Sequence, residues 1–124
     1  MAIVRLLPKT ENPTYTRTWQ PKADIVESKD GFTVTLDVPG FAKEDLKVKA
    51  HDGLLTVHGN KERETVEDSK LFRYYERPTG KFERTFRLPE YIETESIDGI
   101  YENGVLTIEL KKKEEAKPHI ITIK

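Results

Sequence analysis

The chain has 124 residues, of which 35% are hydrophobic and 35% are charged, so we expect one domain with one core and much polar surface. Its 21 basic and 22 acidic residues leave a formal net charge of −1, which argues against nucleic acid as a partner. The lack of cysteine excludes disulfide bonds and thiol chemistry, and the apolar run near the N-terminus is too short for a signal peptide or a membrane span. We therefore expect a soluble, cytoplasmic protein that does not bind membranes.

Residues 1–21 contain three prolines and no sustained periodicity, which predicts a flexible N-terminal arm. The scattered apolar side chains of this arm leave two interpretations open. The arm is either a terminus without a role or an adhesive segment that contacts other chains and unfolded client proteins. In the second case the contacting residues are Ile3, Val4, Leu6, Leu7 and Trp19.

From residue 23 onward, apolar and polar residues alternate, which is typical of half-buried β-strands. The strands predicted in this half of the chain cover residues 24–27, 32–38, 46–50 and 54–58. Turn signals separate them, among them Asp52-Gly53, a dipeptide that favours a two-residue hairpin.

A long charged segment follows, and residues 60–70 are predicted to form a solvated loop. Residues 71–76 differ, because aromatic and aliphatic side chains occupy both parities and both faces of a strand there would be apolar. Such a strand packs either against another subunit or inside its own sheet, and the pattern alone leaves both open. The apolar residues concerned are Leu71, Phe72, Tyr74 and Tyr75.

The next predicted strand carries an arginine on its apolar face. Phe82, Phe86 and Leu88 share one parity, and Arg84 shares it with them. An arginine among apolar side chains needs a carboxylate partner or a position at an interface.

The last predicted strands form a hairpin around Asn103-Gly104, because both central residues of a type I′ turn need a positive φ angle. Residues 96–101 supply the returning strand, and Leu106, Ile108 and Leu110 line one face of the last strand. About eight short strands and no convincing helical window predict an antiparallel β-sandwich over residues 22–112. Residues 113–124 then form a charged tail with an apolar tip, which suggests binding outside its own domain.

Catalytic and metal-binding chemistry finds no support in the pattern. His51 and His58 have opposite parities around a hairpin, His119 lies in the tail, and no cysteine is available, so we expect no zinc site. Gly80-Lys81 lacks the other residues of a phosphate-binding loop. We expect no catalytic residues, no metal and no cofactor, and we interpret the protein as a non-enzyme.

Five blocks in order resemble the alpha-crystallin domain of small heat-shock proteins. They are Leu36-Asp37-Val38-Pro39-Gly40-Phe41, Leu54-Leu55-Thr56-Val57-His58-Gly59, the block from Glu76-Arg77 to Leu88-Pro89, Asn103-Gly104-Val105-Leu106-Thr107, and Ile121-Thr122-Ile123. The resemblance runs from about residue 23 to the C-terminus. It implies an immunoglobulin-like β-sandwich and an ATP-independent holdase that binds partly unfolded proteins and assembles from dimers into a homo-oligomer.

The resemblance also implies roles for particular residues. In the bacterial, plant and archaeal branch a loop strand is exchanged between the two subunits of a dimer, which would place Leu71, Phe72, Tyr74, Tyr75 and Arg84 at the dimer interface. The tail residues Ile121 and Ile123 would insert into a groove of a neighbouring dimer. The groove residues would be Leu46, Val48, Ala50, Ile97 and Gly99.

Two alternatives remain open beside the holdase. One is a small β-sandwich co-chaperone that docks a single partner without oligomerising. The other is a carbohydrate-binding sandwich in which Trp19, Tyr91 and Tyr101 stack on sugar rings.

Overall fold

The computed structural model describes residues 19–63, 65–77, 80–116 and 120–124. Within these residues the regular structure consists of β-strands and three short 3-10 turns, at Lys43–Asp45, Thr94–Ser96 and Glu114–Ala116. The strands are β1 (Ala23–Glu27), β2 (Gly31–Asp37), β3 (Leu46–His51), β4 (Leu54–Lys61), β5 (Gly80–Arg87), β6 (Asp98–Glu102) and β7 (Val105–Lys111).

These strands form two antiparallel sheets, one with the order β1-β2-β7-β6 and the other with the order β3-β4-β5. The prediction of an all-β antiparallel sandwich is confirmed. The register follows from the period-two pattern, because Val34 pairs with Ile108 and Leu36 pairs with Leu106, so apolar side chains lie opposite one another on the same face.

The core lies between the two sheets and contains buried residues from both, together with residues from the loops. Burying an aliphatic or aromatic side chain of this kind stabilises the fold by roughly 1.5–3 kcal/mol. The buried hydrophobic residues are Val34, Leu36, Val38, Phe41, Leu55, Val57, Phe82, Ile92, Leu106, Ile108 and Leu110.

Both predicted two-residue hairpins are present. Asp52 and Gly53 have φ angles of 50° and 73°, and Asn103 and Gly104 have φ angles of 54° and 79°, so the central residues lie in the left-handed region that type I′ turns require. The second turn packs closely against the loop after β2, since a Cβ built on Gly104 would lie 3.1 Å from the Cα of Pro39.

Residues 71–76 lie outside both sheets in the single chain, so the described part of the molecule has one strand fewer than the pattern suggested. A strand of a two-layered sandwich has one face on the core and one face in water, so a segment that is apolar on both faces would leave apolar side chains exposed there. The returning strand of the last hairpin also begins later than predicted, because Thr94–Ser96 form a 3-10 turn before β6.

Each sheet ends in two edge strands, and these leave two open sides of the sandwich. One side lies between β3 and β6, and the other lies between β1 and β5. Edge strands carry unpaired backbone groups that can accept a further strand, so these two sides are where another chain can bind.

Candidate functional site: two open sides and two exposed segments

The open side between β3 and β6 is a groove, here named the β3–β6 groove, with a volume of about 380 Å³. Its lining consists of Val48, Ala50, Thr94, Ile97 and Gly99. Four of the five residues predicted for the tail-receiving groove are thus brought together. The fifth, Leu46, packs against the core, as Ala50 and Ile97 also do, but does not line the groove.

The sequence pattern missed Thr94, and no local signal could have found it. Thr94 reaches the groove because a 3-10 turn precedes β6. The floor at Gly99 is open, since a Cβ built there would meet no atom within 4 Å. A groove at a sheet edge that offers aliphatic side chains such as Val48 and Ile97 beside polar surface suits an extended peptide that adds main-chain contacts and inserts alternate side chains.

The position of β6 is held by Tyr101. Its hydroxyl oxygen lies 2.8 Å from the carbonyl oxygens of both Val38 and Phe41, and its single O–H donates to one of them at a time. Tyr101 therefore joins the groove strand to the loop after β2.

The three aromatic residues of the carbohydrate alternative have separate surroundings. Tyr101 hydrogen-bonds to backbone carbonyls, and Tyr91 stacks on Phe32 with ring centroids 6.4 Å apart. Trp19 stacks on Phe41 at 5.6 Å. The three rings have different partners and do not form a platform for a sugar.

The apolar tip of the tail is exposed in the single chain. Ile121 is 84% exposed and Ile123 is 93% exposed. Neither side chain belongs to the core cluster of its own subunit. Two isoleucines in water at the end of a charged segment are available to bind elsewhere.

A second exposed apolar segment lies in residues 65–77, here named the aromatic loop. Leu71 is 89% exposed, and Phe72, Tyr74 and Tyr75 are also exposed. The loop has internal contacts, because the Arg73 guanidinium donates to the carbonyls of residues 66 and 67, at 3.4 and 3.3 Å. Its aromatic side chains are nevertheless 40–47% exposed in a single subunit, although the Arg63 guanidinium lies 3.7 Å from the ring centre of Tyr75.

The open side between β1 and β5 holds an apolar recess of about 120 Å³, here named the β1–β5 recess. Its lining residues are Ile25, Phe32, Val34, Leu55, Phe86, Arg87, Leu88, Pro89 and Leu110. On the edge strand β1, Ile25 is 55% exposed and Val26 is 63% exposed. Large apolar side chains on a strand edge mark a surface that another chain can cover.

Arg84 lies on the half-buried face of β5, as its parity predicted, and its contacts within one subunit do not include a carboxylate. Its guanidinium donates a 2.8 Å hydrogen bond to the carbonyl oxygen of Pro21 and lies 5.1 Å from the ring centre of Phe86. Within one subunit the guanidinium therefore contacts a backbone carbonyl and an aromatic face in place of the expected carboxylate, and its position at a dimer interface stays a prediction.

Trp19 and Pro21 were predicted to belong to a flexible arm, but both pack against the sandwich. Pro21 is fully buried, and Trp19 lies edge-on to Phe82, with ring centroids 5.1 Å apart. Aromatic packing of this kind joins the chain to the sandwich before β1 begins. The other predicted arm residues, Ile3, Val4, Leu6 and Leu7, lie outside the described residues.

His51 and His58 were predicted to lie at opposite parities around a hairpin, but they lie on the same face of the sheet. His51 and His58 are both exposed on the outer face of the three-stranded sheet, because the two-residue turn pairs His51 with Leu54, which shares its face with His58. His51 Nε2 lies 3.0 Å from an Asp52 carboxylate oxygen. Among the described residues no group of three or more metal-binding side chains occurs, and His119 lies outside them.

The described part of the chain also has no helix long and apolar enough to cross a membrane.

Comparison with known proteins identifies relatives of this sandwich. The model of the Hsp20/alpha crystallin family matches residues 24–124. Small heat shock protein C2 of Rickettsia felis is 34% identical over 104 residues, which cover 84% of this chain and 68% of that protein. The 17.4 kDa class I heat shock protein of Arabidopsis thaliana is 38% identical over 103 residues, which cover 82% of this chain and 66% of that protein. The chain thus spans about two thirds of the length of these relatives.

Solved structures of the same kind share the fold. A small heat-shock protein from Xylella fastidiosa superposes with a TM-score of 0.71 at 30% identity, covering 87% of this chain and 99% of that one. Heat shock protein 16.0 from Schizosaccharomyces pombe superposes with a TM-score of 0.70 at 34% identity, covering 86% of this chain and 99% of that one. The resemblance that the five sequence blocks predicted is confirmed, and the chain belongs to the Hsp20/alpha-crystallin family of small heat-shock proteins.

Proposed function

We propose that this protein is an ATP-independent holdase chaperone that binds partly unfolded proteins, prevents their aggregation and assembles from dimers into a homo-oligomer. Family membership supports a chaperone role. The observation that carries the proposal is a match of surfaces. One subunit exposes two apolar segments, and its own chain leaves open an apolar recess and a groove partly lined by aliphatic side chains.

The dimer forms, in this proposal, when the aromatic loop of one subunit adds to β1 of its partner. The edge of β1 offers unpaired backbone groups, and the β1–β5 recess beside it accepts apolar side chains. The strongly exposed Leu71 and its aromatic neighbours supply such side chains. Exchange of this segment accounts for its apolar character on both faces.

The larger assembly forms when Ile121 and Ile123 of one dimer enter the β3–β6 groove of another. Burying two isoleucine side chains is worth roughly 3–6 kcal/mol before the cost of ordering the tail. One contact of this size is weak, but several tails in a closed assembly act together through their high effective concentration. The Xylella fastidiosa relative is described as having a distinct high order structure, which supports assembly by analogy.

Weak single contacts allow subunits to leave and rejoin. Each departure uncovers the groove and the isoleucines, so exchange presents apolar surface to a client that is losing its own core. The proposed partners are accordingly unfolded clients and further copies of this chain. The proposed location is the cytoplasm, with which a cysteine-free chain is compatible.

The test combines light scattering of a heat-denatured client with native mass spectrometry, both without ATP. The intact protein should suppress client aggregation and form an assembly larger than a dimer. Replacing Ile121 and Ile123 with alanine should reduce the assembly to dimers, whereas the matched change Ile120→Ala should leave its mass unchanged.

A stable monomer would favour the co-chaperone alternative. Unchanged client aggregation in the presence of the protein would overturn the holdase. An unchanged mass in the double isoleucine variant would overturn docking of the tail in the groove.

A further inference from the structure

Backbone hydrogen bonds hold the chain to the sandwich from the last residue of β7 onward, over residues 111–113, here named the tail root. The N–H of Lys112 donates to the carbonyl of Asp30 at 2.8 Å, and the N–H of Lys113 donates to the carbonyl of Tyr91 at 2.7 Å. The buried Ile92 forms a β-bridge with Lys112. The tail root is thus fixed between two loops, and the 3-10 turn Glu114–Ala116 follows it.

The side chain of Lys112 adds a second set of contacts. It is only 12% exposed, and its Nζ lies 2.8 Å from a carboxylate oxygen of Glu27. The same ammonium lies 5.6 Å from the ring centre of Phe32 and 5.7 Å from that of Tyr91, two rings that stack on each other. A lysine so nearly buried needs partners of this kind, and here a carboxylate and two aromatic faces supply them.

We propose that Lys112 is a positioning residue for the tail: it sets the point and direction at which the tail leaves the sandwich, and so limits which neighbouring groove Ile121 and Ile123 can reach. The inference rests on the proposed docking of the tail, which it deepens. Nothing in the contacts of Lys112 requires a second subunit, so the tail direction is set before assembly.

Chain length makes this control effective. From Lys113 to Ile121 the chain has eight residues, which span at most about 26–29 Å. If the tail root came off the sandwich as far back as Leu110, the mobile tail would gain three residues and roughly 10 Å of length. Its direction would then no longer be fixed. A tail that starts from a fixed point reaches few grooves, and a longer free tail reaches more, so the fixed root favours one assembly geometry.

The ion pair between Glu27 and Lys112 links the tail root to the edge strand β1. Glu27 is the last residue of β1, the edge strand to which the aromatic loop of the partner is proposed to add. Its side chain is 53% exposed, so the ion pair with Lys112 adds little to the stability of the fold. The pair instead joins the dimer edge to the tail root.

The test uses Lys112→Met, which keeps an unbranched side chain of similar length and removes the ammonium. Lys111→Met is the matched control, because Lys111 is exposed at the end of β7. Because the chain has no cysteine, spin labels can be placed at single cysteines introduced for Glu109 and Lys124. Labelled subunits diluted in unlabelled protein then report the distance from the sandwich to the end of the tail.

We expect Lys112→Met to broaden this distance distribution by a part of the roughly 10 Å that full release of the tail root would give, because its backbone hydrogen bonds remain. The same variant should also replace one oligomer mass by several, while Lys111→Met changes neither the distribution nor the mass. The milder change Glu27→Gln should broaden the distribution in the same direction. Either single charge reversal, Glu27→Lys or Lys112→Glu, should broaden the distance distribution. The double variant that carries both reversals should restore a narrow distribution, because the ion pair can form again.

A distance distribution unchanged in both Lys112→Met and Glu27→Gln would overturn the proposal. So would a lower unfolding temperature as the only effect, since that result means a merely structural lysine. The same distances are also measured in a protein that carries both Ile121→Ala and Ile123→Ala, whose tail has lost the side chains proposed to dock in the groove. This measurement tests the role of Lys112 separately from tail docking. If docking proves wrong, the distance distribution of this variant still shows whether Lys112 sets the direction of the tail.

Discussion

The hydroxyl of Tyr101 lies 2.8 Å from the carbonyl oxygen of Val38, so the edge strand β6 is joined to the loop that follows β2. The bond spans 63 positions of the chain and fixes one wall of the β3–β6 groove. The same oxygen lies equally close to the carbonyl of Phe41. The groove is therefore held in shape by a side chain that does not itself line it.

Replacing Tyr101 with phenylalanine should lower the free energy of unfolding by roughly 0.5–1.5 kcal/mol, because two carbonyls lose their donor while the ring is kept. Amide hydrogen exchange in β6 should quicken as the strand loosens. Urea unfolding and hydrogen exchange measure these effects. Tyr91→Phe, on a ring that stacks on Phe32, is the control, and equal behaviour of the two variants would contradict the role given to Tyr101.

Adding a methyl group at Gly99 should weaken tail docking without harming the fold. A Cβ there meets no atom within 4 Å, and Gly99 lines the groove, so alanine should project into the space proposed for the isoleucines. We expect an unchanged or slightly higher unfolding midpoint and a weaker affinity for a peptide of residues 116–124, measured by calorimetry.

The control for this change is Gly104→Ala. Gly104 has a φ angle of 79° and lies close to Pro39, so alanine should destabilise the whole sandwich there. Equal peptide affinity in Gly99→Ala and the parent protein would contradict the position proposed for the tail.

Replacing Leu71 with serine should weaken the dimer and leave the single subunit intact. The side chain is 89% exposed in one subunit, so the free energy of unfolding of a monomer gains nothing from it. If it is buried in the dimer, its loss should raise the dissociation constant roughly 10- to 100-fold, which corresponds to about 1.4–3 kcal/mol.

Analytical ultracentrifugation of a variant lacking the last four residues isolates this dimer equilibrium. Leu54→Ser is the matched control, because Leu54 is 42% exposed on the outer face of β4 and does not line the β1–β5 recess. A dissociation constant that changes equally in both variants would show that loss of exposed leucine, and no specific contact, weakens the dimer.

Replacing Arg84 with methionine should lower the free energy of unfolding by roughly 1.5–3 kcal/mol, because the carbonyl of the buried Pro21 loses a charged donor. Arg87→Met, at an exposed position on the same strand, should have a smaller effect. Urea unfolding of the two variants makes the comparison. Our earlier expectation that Arg84 contributes to the dimer predicts in addition a weaker dimer, and an unchanged dimer with a less stable fold would limit its role to one subunit.

Local chemistry was enough to predict much of this fold. The φ angles at Asn103 and Gly104 follow from residues that tolerate the left-handed region, and the core positions Leu106 and Ile108 follow from alternation along one strand. Such features depend on neighbours within a few residues, and the amino-acid pattern records those neighbours directly. Four residues of the groove were also predicted, through the family resemblance of their strands.

Long-range contacts decided the rest. Arg84 and Pro21 are 63 positions apart, and Trp19 packs on Phe41 and Phe82, contacts that no short pattern records. Thr94 reaches the groove only where the two sheets meet, and Lys112 reaches Glu27 only because β2 pairs with both β1 and β7. Burial selects such partners after the strands have paired, since an ammonium or a guanidinium withdrawn from water takes whichever acceptor the finished packing offers.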